Sequence, residues 1–367
     1  MTIEGLNVLL KRQCPYVFKT IPITEVGPRI AIDIFTTANQ HMAIAYKKLA
    51  GSIKIYSEEV NHEDASNLWL QSMMEFVIHW LRYGITPVVV FDGGRRPQKA
   101  ETSKKRAKSK SDRQGKLDIL KSTPVLSLTN EQHKEMKTLT NGLFNIKPSD
   151  YNKFKAVLKG LGIPCLTARY DAEQLCSALC LEGLVSAVLS TDTDNMAYLC
   201  PLQLIRKSKD TVFDNRLMEF VPQYECVRAR DVLQGLNMTP STFVDLCILL
   251  GCDFNTNIRG YGPVKSFDLI LQYKCVKDIP LDKTCLDYET CKDIFTFQPS
   301  NTLIIDISSK KLQIEGFFEH NRDVLVKAGL GSMADRYAGY ILRLPPPPTK
   351  CVSAPMYKRK FEIIAEP

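Results

Sequence analysis

Three short, almost wholly apolar runs constrain this chain more than any other feature. Arg29-Ile30-Ala31-Ile32, Thr86-Pro87-Val88-Val89-Val90-Phe91 and Val185 to Leu189 are too short for helices and too continuously apolar to turn one face to water. Strands of that kind are buried on both faces, as in parallel sheets covered by helices. The segments between them supply the helices. A helical pattern follows Ile32 through Leu49, and Glu63 to Tyr83 sets Leu68, Met73, Phe76, Val77, Trp80 and Leu81 near helical spacing, stopped by Gly84. Asn152 to Leu161 is a helix, Gly162-Ile163-Pro164 begins another strand, and Ala172 to Glu182 is a helix closed by Gly183. The alternation predicts an α/β fold: a mostly parallel central sheet flanked by helices. Two further helices, Thr242 to Leu250 and Val264 to Tyr273, flank a tight turn at Arg259-Gly260-Tyr261-Gly262-Pro263.

The chain's 367 residues, 44% of them apolar, suffice for one large or two moderate domains with a real core. No apolar run approaches the roughly 20 residues that cross a bilayer. Met1 to Leu10 carries Glu4 and no basic n-region, so it does not read as a secretory signal. Twelve cysteines lie scattered between Cys14 and Cys351 without a C-x-x-C pair or a Cys/His cluster at zinc spacing. Cys176 and Cys180 read as buried small hydrophobes. A soluble chain of a reducing, intracellular compartment is expected.

The formal net charge of +8 is concentrated in one place. Arg95, Arg96, Lys99, Lys104, Lys105, Arg106, Lys108, Lys110, Arg113 and Lys116 face only Glu101 and Asp112, and the rest of the chain is balanced. A run of this kind is either a solvated helix or loop, or an element that meets phosphates and releases their counterions. Its position favours the second reading. Acids follow the three clearest strands directly: Asp33, Asp92, and the pair Asp192 and Asp194. Asp171 and Glu173 open the helix before the last of these strands. Open parallel sheets bind ligands beyond the carboxyl ends of their strands.

Singly, Asp33 and Asp92 are turn residues, and Asp171 is an N-cap with Gln174 completing a capping box. Together, carboxylates at one edge repel one another unless divalent cations neutralise them, and oxygen-only ligation suits Mg²⁺ or Mn²⁺. Two such ions clamp the attacking and leaving oxygens of phosphodiester cleavage. The basic segment begins three residues after Asp92, so it overhangs the acidic edge. An Asp-x-Asp pair also occurs in aspartyl-phosphate phosphatases and metal-dependent glycosyltransferases. The phosphatase pattern wants it after an early strand, whereas here it follows about the fourth and leads into Asn195-Met196.

These blocks resemble the flap endonuclease family, the structure-specific nucleases of the xeroderma-pigmentosum-G type, from Met1 to about Tyr340. Ile3-Glu4-Gly5-Leu6 is similar to the family's N-terminal opening and Ala31-Ile32-Asp33 to its first acidic strand. Phe91-Asp92-Gly93, Pro97-Gln98-Lys99 and Arg106 resemble the entry to its helical arch. Asp171-Ala172-Glu173, Thr191-Asp192-Thr193-Asp194 and Leu249-Leu250-Gly251-Cys252-Asp253 resemble its remaining acidic blocks, and Ile258 to Pro263 its helix–two-turn–helix.

The resemblance implies a PIN-like nuclease core with a helical arch insertion, cutting 5′-flap DNA with two Mg²⁺ ions. Asp33, Asp92, Asp171, Glu173, Asp192, Asp194 and Asp253 would hold the ions, Asp192 being central to catalysis. Lys99 and Arg106 would reach the scissile phosphate. Arg95, Arg96, Lys104 and Lys105, with Arg259, Gly260, Gly262 and Lys265 at the turn, would contact DNA, and K⁺ would sit at that turn. The corresponding division is a nuclease region over 1–98, a basic arch and cap over 99–150, in which 130–150 has weak periodicity, a second nuclease region over 151–344, and a loose tail over 345–367.

Departures mark a divergent member, a viral one among those they fit. Thr2 replaces a family glycine, Asp171 a family glutamate, and Asn39 stands where the family offers a tyrosine to stack on a base, leaving Phe35 or Tyr46 for that task. No sliding-clamp peptide is evident, since Phe317-Phe318 follows Gln313 too early. Lys358-Arg359-Lys360 is a short basic patch. The expectation is a monomer acting on branched DNA in replication, repair or recombination, in the nucleus or at a site of viral DNA replication. A four-way-junction resolvase or 5′-exonuclease of the same family, and a non-catalytic DNA-binding scaffold, are the competing readings. An RNA-cutting relative would lack the basic insertion and the Gly260 turn.

Overall fold

The computed structural model describes residues 3–52, 60–124, 127–297 and 321–333. Its strands are β1 (Lys19–Pro22), β2 (Arg29–Asp33), β3 (Thr86–Phe91), β4 (Cys165–Thr167), β5 (Ala187–Leu189), β6 (Gln203–Asp214) and β7 (Glu219–Val227). Its helices are α1 (Leu6–Gln13), α2 (Ile34–Ser52), α3 (His62–Leu81), α4 (Ala100–Ser122), α5 (Asn130–Gly142), α6 (Pro148–Gly160) and α7 (Ala172–Leu181). They continue with α8 (Asp194–Ala197), α9 (Ala229–Leu236), α10 (Pro240–Leu250), α11 (Pro263–Tyr273), α12 (Tyr288–Phe295) and α13 (Asn321–Lys327).

The described strands make one sheet in the order β1-β7-β6-β5-β2-β3-β4. From β6 to β4 every neighbour is parallel, and β7 runs antiparallel to both β6 and β1. The apolar runs behave as strands buried on both faces. Ile30, Ile32, Val89 and Phe91 point to a core completed by α2, α3 and α6, including Trp69, Trp80 and Phe154. Ala31, Val88 and Val90 face the other way, onto Ala172, Cys176, Leu179 and Cys180 of α7. Cys176 and Cys180 are thus buried free thiols on a packed helix face. A second large core joins α1 to α9, α10, α11 and α12 around Phe243, Leu246 and Ile270. The basic helix α4 pairs with α5 over a small cluster of Leu117, Leu120, Leu128 and Met136. The weakly periodic stretch from Asn130 therefore does fold into a helix, started by a capping box between Thr129 and Gln132.

The long β6–β7 ribbon has no counterpart among the apolar runs. Its inner residues are buried, but the outer half leaves the sheet and exposes Phe213, Met218 and Phe220. Ladder hydrogen bonds, not two-sided burial, hold that half, so it needs no continuous apolar run. Asp214 turns the chain by accepting from the amides of Arg216 and Leu217 at 2.8 and 3.0 Å.

No helix among the described residues is long and apolar enough to cross a membrane. Gln313, Phe317, Phe318 and the tail with Lys358-Arg359-Lys360 lie outside the described residues.

Candidate active site at the strand ends

The sheet register brings the acids together. Ile32 pairs with both Val89 and Leu189, so β2, β3 and β5 end level with one another. Asp33 is the last residue of β2, Asp92 follows β3, the loop after β5 carries Asp192, and Asp194 opens α8. Helix α7 starts beside them with Asp171 and Glu173, and the loop after α10 adds Asp253.

Three of the carboxylates are fixed by hydrogen bonds. Asp33 accepts from the Phe35 amide at 3.1 Å and from the Ser190 hydroxyl at 3.2 Å. Asp92 accepts from the Ala172 amide at 2.9 Å. The cap of α7 thus comes from a neighbouring strand, and the Asp171 side chain makes no cap bond. The capping-box reading of Asp171 and Gln174 is not realised, because both side chains turn to Arg96. Asp192 accepts from the Asp194 amide at 3.0 Å, and its own amide donates to the Ser190 hydroxyl at 3.1 Å.

The cluster is electrostatically strained. Burial, with the charges of Asp92 and Asp192, pushes Asp33 up to about 7. Burial also lifts Glu173, with Asp33, Asp192 and Asp92 adding to the effect, and lifts Asp194, beside Asp192 and Asp253. Desolvation by the surrounding protein raises Asp92 and Asp192 in the same direction. Acids that raise one another's pKa lie close enough to repel one another when charged. Glu173 Oε2 and Asp194 Oδ1 are buried without a hydrogen-bond partner. Hard divalent cations take oxygen donors of that kind, so the residues present fit such an ion. As they stand, no three of the described His, Cys, Asp and Glu side chains are spaced to ligate one ion.

Cations from the basic segment reach this edge instead. Lys99 Nζ lies 2.6 Å from Asp171 Oδ1 and 3.5 Å from Asp253 Oδ2. Burial alone would lower its pKa, but Glu173, Asp171 and Asp253 outweigh that and hold it above the usual lysine range. Arg106 donates to Asp253 Oδ1 at 3.1 Å, and the Thr102 hydroxyl donates to the Asp253 carbonyl at 2.8 Å. Arg96 pairs with Asp171. Arg95, just before α4, and Lys104 and Lys105 within it are exposed.

A cavity of about 360 Å³ opens beside the arch, lined by Asn39, Arg106, Lys110, Arg113 and Asn145 among others. Asn39 donates to the Phe35 carbonyl at 2.8 Å, and the Phe35 ring is exposed. Tyr46 is not free to stack on a base: its hydroxyl is 3.0 Å from His62 and its ring packs against Phe144. Of Phe35 and Tyr46, only Phe35 presents an exposed ring without such a contact among the described residues.

The turn between α10 and α11 carries Asp253 at one end and the glycine pair at the other. Gly260 has φ +86 with open space around it, a conformation that favours glycine. Gly262 and Arg259 are exposed, and the exposed Lys265 donates to the Gly260 carbonyl at 3.2 Å.

Several partners escaped the sequence reading. Ser190 and Gln203, whose amide bridges the Ser190 and Asp192 carbonyls at 2.9 and 2.6 Å, shape the acidic loop. The Ile3 amide donates to the Thr193 hydroxyl at 2.8 Å. The Tyr151 hydroxyl is buried without a partner, and burial with the charges of Asp92 and Asp33 raises its pKa. Only the position of Ser190, two residues before Asp192, carried a local signal.

Comparisons with known proteins follow the same outline. Residues 1–113 match the XPG N-terminal domain and residues 162–253 the XPG I-region. Flap endonuclease 1 of Lodderomyces elongisporus is 30% identical over 280 residues, covering 76% of this chain and 68% of that one. Flap endonuclease 1 of Glossina morsitans morsitans is 29% identical over 333 residues, covering 89% and 81%. Among solved structures, the catalytic core of Rad2 in complex with DNA substrate superposes with a TM-score of 0.61 at 16% identity, covering 93% of this chain and 99% of that one. Flap endonuclease-1 from Methanococcus jannaschii gives 0.54 at 18% identity, covering 89% and 96%. The fold is that of these nuclease cores.

Proposed function

Since the chain belongs to the flap endonuclease family of structure-specific nucleases, we propose that it cuts 5′-flap DNA near the junction of single strand and duplex, dependent on Mg²⁺. The observation that carries this reading is the meeting of two opposed charge sets. Lys99 and Arg106, at the start of the basic helix, reach Asp171 and Asp253 on the edge where the strand-end acids converge. A phosphodiester entering between them meets cations above and carboxylates below.

Asp33, Asp92, Glu173, Asp192, Asp194 and Asp253 would hold two Mg²⁺ ions, directly or through water, with Mn²⁺ able to substitute. Such ions supply a nucleophilic water at neutral pH and neutralise the attacking and leaving oxygens. The chain's residues do the rest. Lys99 and Arg106 bind the non-bridging phosphoryl oxygens as charge builds on them. Asp192 holds the loop geometry by bonding the Asp194 amide. Arg95, Lys104 and Lys105 track phosphates along the arch of residues 99–150, and Arg259, Lys265 and the backbone at Gly260 and Gly262 grip the duplex. A K⁺ ion at that turn would compete with Lys265, which donates to the Gly260 carbonyl. Residues 1–98 and 151–344 form the nuclease body in this scheme. The setting is DNA replication, repair or recombination.

End-labelled 5′-flap, four-way-junction and blunt duplex DNA, offered with Mg²⁺, test the reading together. The flap is expected to be cut fastest; preference for the junction would overturn the flap assignment. Asp192→Ala is expected to abolish cleavage while leaving flap binding intact, and unchanged cleavage would overturn the site.

A further inference from the structure

Glu173 and Asp194 keep a buried oxygen without a partner, but Asp171 has none to spare. Its Oδ2 accepts from Arg96 Nε and its Oδ1 pairs with Lys99 at 2.6 Å. Arg96 has further contacts. Its second nitrogen donates to Gln174 Oε1 at 2.6 Å, and its guanidinium lies 4.5 Å from the centre of the Tyr170 ring. Gln174 in turn donates to the Ile294 carbonyl on α12 at 3.3 Å. The side chains of Arg96 and Asp171 are each only 11% exposed.

The backbones beneath this clamp are equally close. The Gly93 amide donates to the Tyr170 carbonyl at 2.7 Å and the Gly94 amide to the Arg169 carbonyl at 2.9 Å. A Cβ on Gly93 would stand 1.9 Å from the Ala168 carbonyl oxygen. The loop leading into the arch and the loop leading into α7 are therefore docked face to face, with Arg96 bolted across them.

We propose that Arg96 is a positioning residue and that Asp171 anchors the base of the arch instead of ligating metal. Arg96 holds Asp171, and Asp171 aims Lys99 at the mouth of the acid cluster. A guanidinium suits this task because its planar fork holds Asp171 and Gln174 in fixed directions while its face lies over Tyr170, a geometry that a lysine's single ammonium does not impose. The acid is short, so it ends at the clamp and leaves the interior to Glu173, two residues on along α7. The role rests on the nuclease reading of the same site, in which Lys99 meets the scissile phosphate.

Two measurements separate the outcomes. The first is Mn²⁺ titration of the full-length protein, with free Mn²⁺ read by electron paramagnetic resonance. Asp171→Asn is expected to keep the wild-type number of ions and their affinity, and Asp194→Asn to lose affinity; loss of an ion in Asp171→Asn would overturn the anchor role. The second is single-turnover cleavage of flap DNA at saturating enzyme. Arg96→Ala and Asp171→Asn should each slow the step about tenfold to a hundredfold, the scale of a misplaced catalytic group, with the Kd for flap DNA unchanged. The double variant should be no slower than the slower single one, as for residues acting as a unit. Multiplying losses would sink the proposal, as would a wild-type rate in Arg96→Lys, which keeps the charge and loses the fork. If the wild-type protein cuts no flap DNA, the nuclease reading fails, and the Mn²⁺ titration still decides the role of Asp171.

Discussion

Thr193 illustrates how a single side chain can set the site without carrying chemistry. It lies between Asp192 and Asp194, 1% exposed, and its hydroxyl receives the Ile3 amide at 2.8 Å. The next residue, Glu4, donates its amide to the Gly251 carbonyl at 2.9 Å, two positions before Asp253. The start of the described chain is thus laced to both acidic loops on one side of the cluster. Thr193→Val keeps the shape and removes the acceptor, leaving a buried N–H unpaired, a loss of about 1–3 kcal/mol. Denaturant unfolding should show a destabilisation of that size, and a change below about 0.5 kcal/mol would refute the role, that being the range of an unimportant surface change.

Among the elements, α3 and the β6–β7 ribbon are joined by a titrating contact. His79 on α3 lies 2.9 Å from the Tyr224 hydroxyl on β7. Burial, then the charges of Lys207 and Arg82, lowers its pKa from 6.5 to about 4. The unfolded chain therefore takes up a proton below pH 6.5 that the folded chain refuses until about pH 4. The stability this contributes is present above pH 6.5 and is lost as the pH falls through about 4. The denaturation midpoint should fall more steeply over that window in the wild-type protein than in His79→Gln, which keeps polar atoms for Tyr224 and does not titrate there. Parallel curves would refute it. The ribbon itself could not be read from the sequence, because Arg206, Lys207, Lys209 and Asp210 interrupt any apolar pattern. The two-sided strands could be: β3 has the bounds its sequence indicates, Thr86–Phe91. So could α10 and α11, where Thr239 and Gly262 precede a proline at the first helical position.

At the scale of the whole molecule, the charge is a separation of signs, with exposed bases along α4 over an acid edge. Flap binding should weaken steeply with salt, and Lys105→Ala with Lys108→Ala should flatten the log–log slope by about 0.7–0.9 for each phosphate no longer neutralised. An unchanged slope would show that α4 does not meet the backbone. The apolar runs alone point to the central strands β2, β3 and β5, the helices over them and the acids that follow them. Those features are local, written in runs of apolar residues and in which residue follows them. The sequence also placed the bases next to Asp92, since adjacency along the chain is preserved in space. Which partner each charge finds depends instead on how distant loops meet in three dimensions. Asp92, not Asp171, caps α7, and Asp171 takes both Arg96 and Lys99, while Glu173 and Asp194 keep an oxygen unpaired. Arg96 and Asp171 are 75 residues apart in sequence. Their pairing depends on two loops meeting where Gly93 has no side chain to hold them apart, and no local pattern encodes a contact of that range.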